Sequence, residues 1–208
     1  YLSPEQRCLN IGCGNSDFSS DMYDAGHKQI TNVDFSEVVI EEMRSKNSSV
    51  RPEMKWDVGD MLQLSSRYGE SSFDTVIDKG ALDAIMSEGS TAYNGESSKT
   101  SSGQESSRST QLCARQLFSE VARVLNPGGQ YICVTLAEHH IFSAILDFFA
   151  ESSDWACTVE VLGPRSSRLS PFRPFVVVAR LADENNSSSR GNATKLFSGN
   201  RVQVSQTL

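Results

Sequence analysis

Apolar residues along this chain fall into short compact runs separated by stretches of helical period, and the two kinds of segment alternate. Cys8-Leu9-Asn10-Ile11 reads as a short buried strand ending in Gly12-Cys13-Gly14. A helix is predicted from about Ser16 to Ala25, stopped by Gly26 in a C-cap position. Ile30 to Asp34 is the second strand. Ser36 is a good N-cap, with Glu37 in the first turn, for a helix carrying Val39, Ile40 and Met43. Met54 to Val58 and Phe73 to Asp78 are the third and fourth strands. Farther on, Leu117, Val121, Val124 and Leu125 fall at i, i+4, i+7 and i+8, which predicts an amphipathic helix. Asn126-Pro127-Gly128-Gly129 should stop it before a fifth strand, Tyr131 to Leu136. Ile141, Ile145, Phe148 and Phe149 repeat the helical spacing, and Trp155 to Val161 and Phe175 to Ala179 supply two last strands. Alternation of this kind predicts crossover units: an α/β fold with a mostly parallel, Rossmann-like sheet and helices on both faces.

Composition changes the picture in two places. Serine is the commonest residue and it clusters. Ser87 to Thr110 holds many serines and one aromatic, Tyr93, so it cannot bury enough apolar surface to offset its ordering entropy and is expected to be a disordered insertion. Residues 182–208 have the same character and are expected to be a free tail, leaving residues 1–181 as a single folded domain. With 208 residues and 38% hydrophobic content the chain needs no covalent staples. Its net charge of −7 and pI near 5.0 argue against nucleic acid or an anionic membrane as partner. No apolar run reaches the roughly 20 residues of a membrane span.

Five cysteines, none spaced as CxxC, exclude a simple zinc site and a fully paired disulfide framework. They suit a reducing compartment, so a cytoplasmic location is expected, with a mitochondrial one as the alternative. The chain starts at Tyr1 and enters a strand almost at once, as expected of a sequence beginning downstream of its natural N-terminus.

In parallel sheets the ligand lies at the carboxyl ends of the strands, beside the first one. Gly12 and Gly14 let the chain turn there and let backbone amides approach a ligand. Asp34 follows Gly14 by about twenty residues at the end of the second strand, where a carboxylate accepts the ribose hydroxyls of an adenosine. Helix capping is the competing duty for Asp34, and Ser36 already serves it. A dinucleotide site needs a third glycine and an open helix N-terminus for pyrophosphate, but Asp17 places a negative charge there. A sulfonium cofactor, S-adenosylmethionine, has no phosphate to repel. Asp60 can accept from its adenine amino group, and Phe35 or Met61 can cover the base. Asp78, ending the fourth strand, is the candidate catalytic carboxylate that orients a substrate amine, a turn cap being its alternative role. His139 and His140 follow the fifth strand and could face the same mouth, but an ordinary place at the start of a helix is the favoured reading for each.

Gly12-Cys13-Gly14-Asn15-Ser16, Val33 to Ile40, and above all Phe73-Asp74-Thr75-Val76-Ile77-Asp78-Lys79-Gly80-Ala81-Leu82-Asp83-Ala84 resemble the methyltransferase-like class I group. Its members methylate lysines of translation elongation factor 1A, and a related branch methylates mitochondrial citrate synthase. The resemblance implies a seven-stranded sheet with an antiparallel final strand, a protein substrate, and cofactor contacts at Gly12, Asp34, Phe35, Asp60, Met61 and Lys79. Many class I enzymes carry an acidic residue where this chain has Asn10. The function expected is therefore S-adenosylmethionine-dependent methyl transfer to a protein lysine. Two alternatives are a catalytically silent fold serving as an interaction module and a nicotinamide-dependent oxidoreductase.

Overall fold

The computed structural model describes residues 2–87, 103–136, 138–161, 174–183 and 203–206. The strands are β1 (Cys8–Ile11), β2 (Ile30–Asp34), β3 (Lys55–Val58), β4 (Phe73–Lys79), β5 (Leu125–Thr135), β6 (Trp155–Val161), β7 (Phe175–Leu181) and β8 (Gln203–Gln206). The helices are α1 (Phe18–Asp24), α2 (Glu37–Asn47), α3 (Ala81–Met86), α4 (Gly103–Val124) and α5 (His139–Ala150), with a 3-10 turn at Met61–Ser66. All strands join one sheet in the order β3-β2-β1-β4-β5-β7-β6-β8. The chain leaves β1 first toward β2 and β3, then crosses back to β4 and β5 on the other side, so the topological switch lies at β1. β7 runs antiparallel to both β5 and β6, as the resemblance implies.

Side-chain alternation along β1 sets the two faces of the core. Leu9 and Ile11 face the larger cluster, formed with α3, α4 and α5 residues such as Leu82, Leu117, Phe118, Val121 and Ile145. Cys8 joins Met22, Tyr23, Ile40, Met43 and Trp56 beneath α1 and α2. The larger side is braced by aromatic pairs, Phe118 with Tyr131 at 6.0 Å and Phe149 with Trp155 at 4.7 Å between ring centroids. On the second face, the Asn10 amide donates to Ser19 Oγ at 2.8 Å and to Asn32 Oδ1 at 3.2 Å, tying α1 to the sheet. Asn10 is thereby engaged in joining α1 to β2 and is buried.

Three expectations are corrected. The helix of the Leu117 stripe begins at Gly103, so 103–110 are helical rather than disordered. Gln104 and Glu105 are good helix formers, and the helix extends N-terminally from the buried anchor Ala114. The rest of the serine-rich insertion lies outside the described residues. Residues 203–206 of the expected free tail pair in parallel with β6 from Thr158 to Val161, because the outer edge of β6 offers unpaired backbone groups. The intervening tail residues lie outside the described ones. Asn126 to Gly129 do end α4, but within β5: Leu125 pairs with Phe73 and Gln130 with Thr75, so this segment bulges out while the strand continues. Among the described residues, no helix is long and apolar enough to cross a membrane.

Candidate functional site

Register builds the site. Ile11 pairs with Val33 on one side and with Asp78 on the other. The next residue of each strand's path, Gly12, Asp34 and Lys79, therefore emerges side by side at the carboxyl edge. Asp34 pairs with Val58, which brings Gly59 into the same row. An open cleft of about 170 Å³ lies there, lined by Gly12, Asp34, Phe35, Gly59, Met61 and Lys79, with Gly80, Ala81, Ala84 and Ile85 as its far wall.

The glycine loop is shaped for close approach. Gly12 and Gly14 have φ of +54° and +55°, the left-handed region, and a Cβ on Gly12 would stand 2.6 Å from Ala81 Cβ. Asp34 is buried and holds this loop: Oδ2 accepts the Gly14 N–H at 2.9 Å and Oδ1 accepts the Ser36 N–H at 3.0 Å. Each carboxylate oxygen has two acceptor sites, so capacity remains for two ligand hydroxyls. Phe35 beside it is 61% exposed, an aromatic face at the mouth, while Met61 is buried in the floor. The Cys13 thiol in the same loop is pushed up to about 12 by burial, with the Asp34 charge adding to it, so it is no nucleophile.

Five of the residues expected from sequence thus line one cleft: Gly12, Asp34, Phe35, Met61 and Lys79. Gly14 and Asp60 act from behind it. Gly14 donates to Asp34, and Asp60 caps the turn after β3 by accepting the Leu62 N–H at 2.8 Å, which sets Met61 into the floor. Asp78 is the correction. Its carboxylate is fully buried, accepts the N–H groups of Ala81 at 2.8 Å and Leu82 at 3.1 Å, and takes the Tyr131 hydroxyl at 2.9 Å. Burial is the main force on it, pushing its pKa up to about 6 against these hydrogen bonds. A group enclosed in this way caps α3 and is not among the residues lining the cleft, so the geometry favours the turn-capping role for Asp78. Of the two histidines, His139 is exposed and His140 Nε2 lies 3.1 Å from Met86 O, joining α5 to the end of α3.

Sequence reasoning missed the far wall. Ala81, Leu82, Ile85 and Met86 carry helical spacing, the signal in the sequence that marks α3. Gly80 at φ +82° makes the turn from β4 into α3, and Asp78 caps it. Together they turn the chain at the end of the central strand β4 into a wall of the cleft.

The model of a methyltransferase domain family matches residues 2–160. The eEF1A lysine and N-terminal methyltransferase of Xenopus laevis is 37% identical over 151 residues, 73% of this chain and 19% of that protein. EEF1A lysine methyltransferase 4 of Mus musculus is 34% identical over 155 residues, 74% of this chain and 54% of that protein. The chain thus spans about a fifth of the length of the first of these relatives. Among solved structures, a SAM-dependent methyltransferase of Methanosarcina mazei superimposes with a TM-score of 0.62 at 14% identity, covering 88% of this chain and 96% of its own. The geranyl diphosphate C-methyltransferase of Streptomyces coelicolor, solved with S-adenosyl-L-homocysteine, gives 0.55 at 14% identity, covering 87% and 75%. With the switch-point cleft, the glycine loop and the Asp34 carboxylate in place, these likenesses agree, and the chain belongs to the methyltransferase domain family.

Proposed function

We propose that this domain binds S-adenosylmethionine in the cleft at the ends of β1, β2 and β4 and transfers its methyl group to a lysine amine of a protein. The observation that carries this reading is Asp34: a buried carboxylate in the cleft, fixed by Gly14 and Ser36, with acceptor capacity left for a ribose. The cleft also fits a cofactor without phosphate. Asp17, the residue before α1, stands where a dinucleotide's pyrophosphate would dock, and its carboxylate is 61% exposed beside Lys46. Phe35 offers its ring to adenine, and Met61 lies beneath.

When bound, S-adenosylmethionine supplies a methyl carbon already activated by a sulfonium leaving group, so alignment, desolvation and an uncharged amine are what the protein must add. Gly12 and Ala81 bring loop and α3 into contact behind the cofactor position, which excludes water there. Lys79, which lines the same cleft, would supply a cation for the cofactor's carboxylate. Elongation factor 1A is the acceptor we favour, on the printed activities of the relatives. The unpaired state of all five cysteines supports a reducing, cytoplasmic setting.

Titration calorimetry with S-adenosylmethionine and, separately, with a nicotinamide dinucleotide tests the cofactor half of the reading. Binding of the first and none of the second is expected. The reverse preference would replace the reading with an oxidoreductase.

A further inference from the structure

Asp83 is the one acidic residue of the Asp78–Ala84 motif left without a task by the cofactor cleft and the α3 cap. It stands in the first turn of α3 and, unlike Ala81, Ala84 and Ile85, is not among the residues lining the cleft. Its Oδ1 accepts two donors from another element: the Thr135 hydroxyl at 2.9 Å and the Leu136 N–H at 3.1 Å. Thr135 is the last residue of β5 and is buried, whereas Leu136, which follows it, is 56% exposed. Because Lys79 pairs with Val134, Leu136 comes off the carboxyl edge next to the cleft rim. One carboxylate oxygen therefore clamps the helix that walls the cleft to the strand end at its mouth.

Such a clamp is not needed to hold the core. Leu82, Ile85 and Met86 already bury α3, and Asp78 already caps it. What Asp83 adds is a fixed distance between the wall and the rim, where an acceptor must approach the methyl group. Its second oxygen, Oδ2, is closed to solvent and has no hydrogen-bond partner. Leaving a carboxylate oxygen unpaired costs free energy, a cost that persists where function over-determines the geometry.

We propose that Asp83 is a positioning residue for methyl transfer: by joining α3 to the end of β5 it fixes the acceptor side of the cleft and so governs how a lysine-bearing protein is presented. This rests on the methyl-transfer reading above. It assigns Asp83 no contact with cofactor or acceptor.

The test compares Asp83→Ala, which removes the clamp, with Asp83→Asn, which keeps an oxygen for Thr135 and Leu136 and removes the charge. Steady-state methylation of purified elongation factor 1A with tritiated cofactor gives kcat and KM, calorimetry gives cofactor affinity, and hydrogen exchange follows the Leu136 amide. Asp83→Ala is expected to raise KM for the acceptor about tenfold or more. Its cofactor affinity should stay within about threefold, because the Asp78 cap still holds the cofactor end of α3. Its Leu136 amide should exchange faster, and Asp83→Asn should restore both amide protection and KM. If Asp83→Ala leaves the exchange of Leu136 and the acceptor KM unchanged, the proposal is overturned. It is equally overturned if Asp83→Asn fails as badly as Asp83→Ala in KM while Leu136 stays protected, since the carboxylate charge would then meet the acceptor directly. A wild-type chain that binds the cofactor but leaves elongation factor 1A unlabelled contradicts the substrate reading instead, and the Leu136 exchange then decides the clamp by itself.

Discussion

Asp34 accepts the backbone N–H of Gly14 at 2.9 Å, so the end of β2 holds the glycine loop that follows β1. The same carboxylate fixes the entry to α2 through Ser36 and lines the cleft. One side chain thus shapes the loop and presents an acceptor to whatever the loop admits.

Asp34→Ala removes both functions. Charge-assisted hydrogen bonds contribute about 1.5–3 kcal/mol each, so S-adenosylmethionine affinity should fall at least about tenfold. Calorimetry on a mutant whose folding has been checked by circular dichroism reads this directly; unchanged affinity would remove Asp34 from the cofactor site.

Phe35 separates binding from folding. Being 61% exposed, it contributes little to the core, yet it lines the cleft. Stacking of a base on an aromatic ring is worth about 1–3 kcal/mol. Phe35→Ala should therefore weaken cofactor binding about fivefold or more with the melting temperature nearly unchanged. A lowered melting temperature with intact affinity would make Phe35 a packing residue.

Gly12→Ala tests the contact between loop and helix. The new methyl would stand 2.6 Å from Ala81 Cβ, both on backbone-anchored groups, and φ at +54° is unfavourable for alanine. Strain and overpacking together cost on the order of 2–4 kcal/mol. Loss of thermal stability and of cofactor binding together is expected; a melt like that of the wild type would show that α3 moves aside freely.

The strands around β1 and their alternation with helices were legible because compact hydrophobic runs and helical-period segments follow one another there, whereas their order in the sheet comes from the structure. Five residues of the cleft were legible for a related reason: Gly12, Asp34, Phe35 and Lys79 stand at or just past a strand end and Met61 opens the turn after β3, and parallel registration brings those ends together. Asp78 misled because its neighbour Lys79 does reach the cleft. Successive residues of a strand point to opposite sides, and sequence alone did not show that a helix starting at Ala81 would claim the Asp78 carboxylate. Asp83 was invisible for a related reason: its partners, Thr135 and Leu136, are distant in the chain and carry no pattern. The start of α4 was hidden by serines, whose composition argues disorder while a buried stripe farther along extends the helix through them.

Asp78 makes a prediction about pH. In the unfolded chain its carboxyl titrates near 4, and in the folded protein burial pushes it up to about 6. The fold thus favours the protonated form. That contribution is fully present below about pH 4, declines as pH rises toward 6, and is gone above it; two units correspond to about 3 kcal/mol. Asp83, Tyr131 and Cys133 are the titratable groups that act on it. Asp78→Asn should flatten this part of the stability profile, measured as the difference in melting temperature between pH 4 and pH 7 in mutant and wild type. Because the carboxylate is enclosed, single-turnover methyl transfer by the folded mutant should stay within about tenfold of normal. A loss of a hundredfold or more with a normal melt would restore Asp78 to the catalytic machinery.

The central claim, that this domain moves a methyl group from S-adenosylmethionine to a protein lysine, is tested most directly by single-turnover labelling. The chain is mixed with tritiated cofactor and purified elongation factor 1A, and the acceptor is hydrolysed and its amino acids separated. The account predicts tritium in methylated lysine, lost when Asp34→Ala replaces the wild type. Cofactor bound with no label in lysine, over times long enough for many turnovers of an active enzyme, would contradict it.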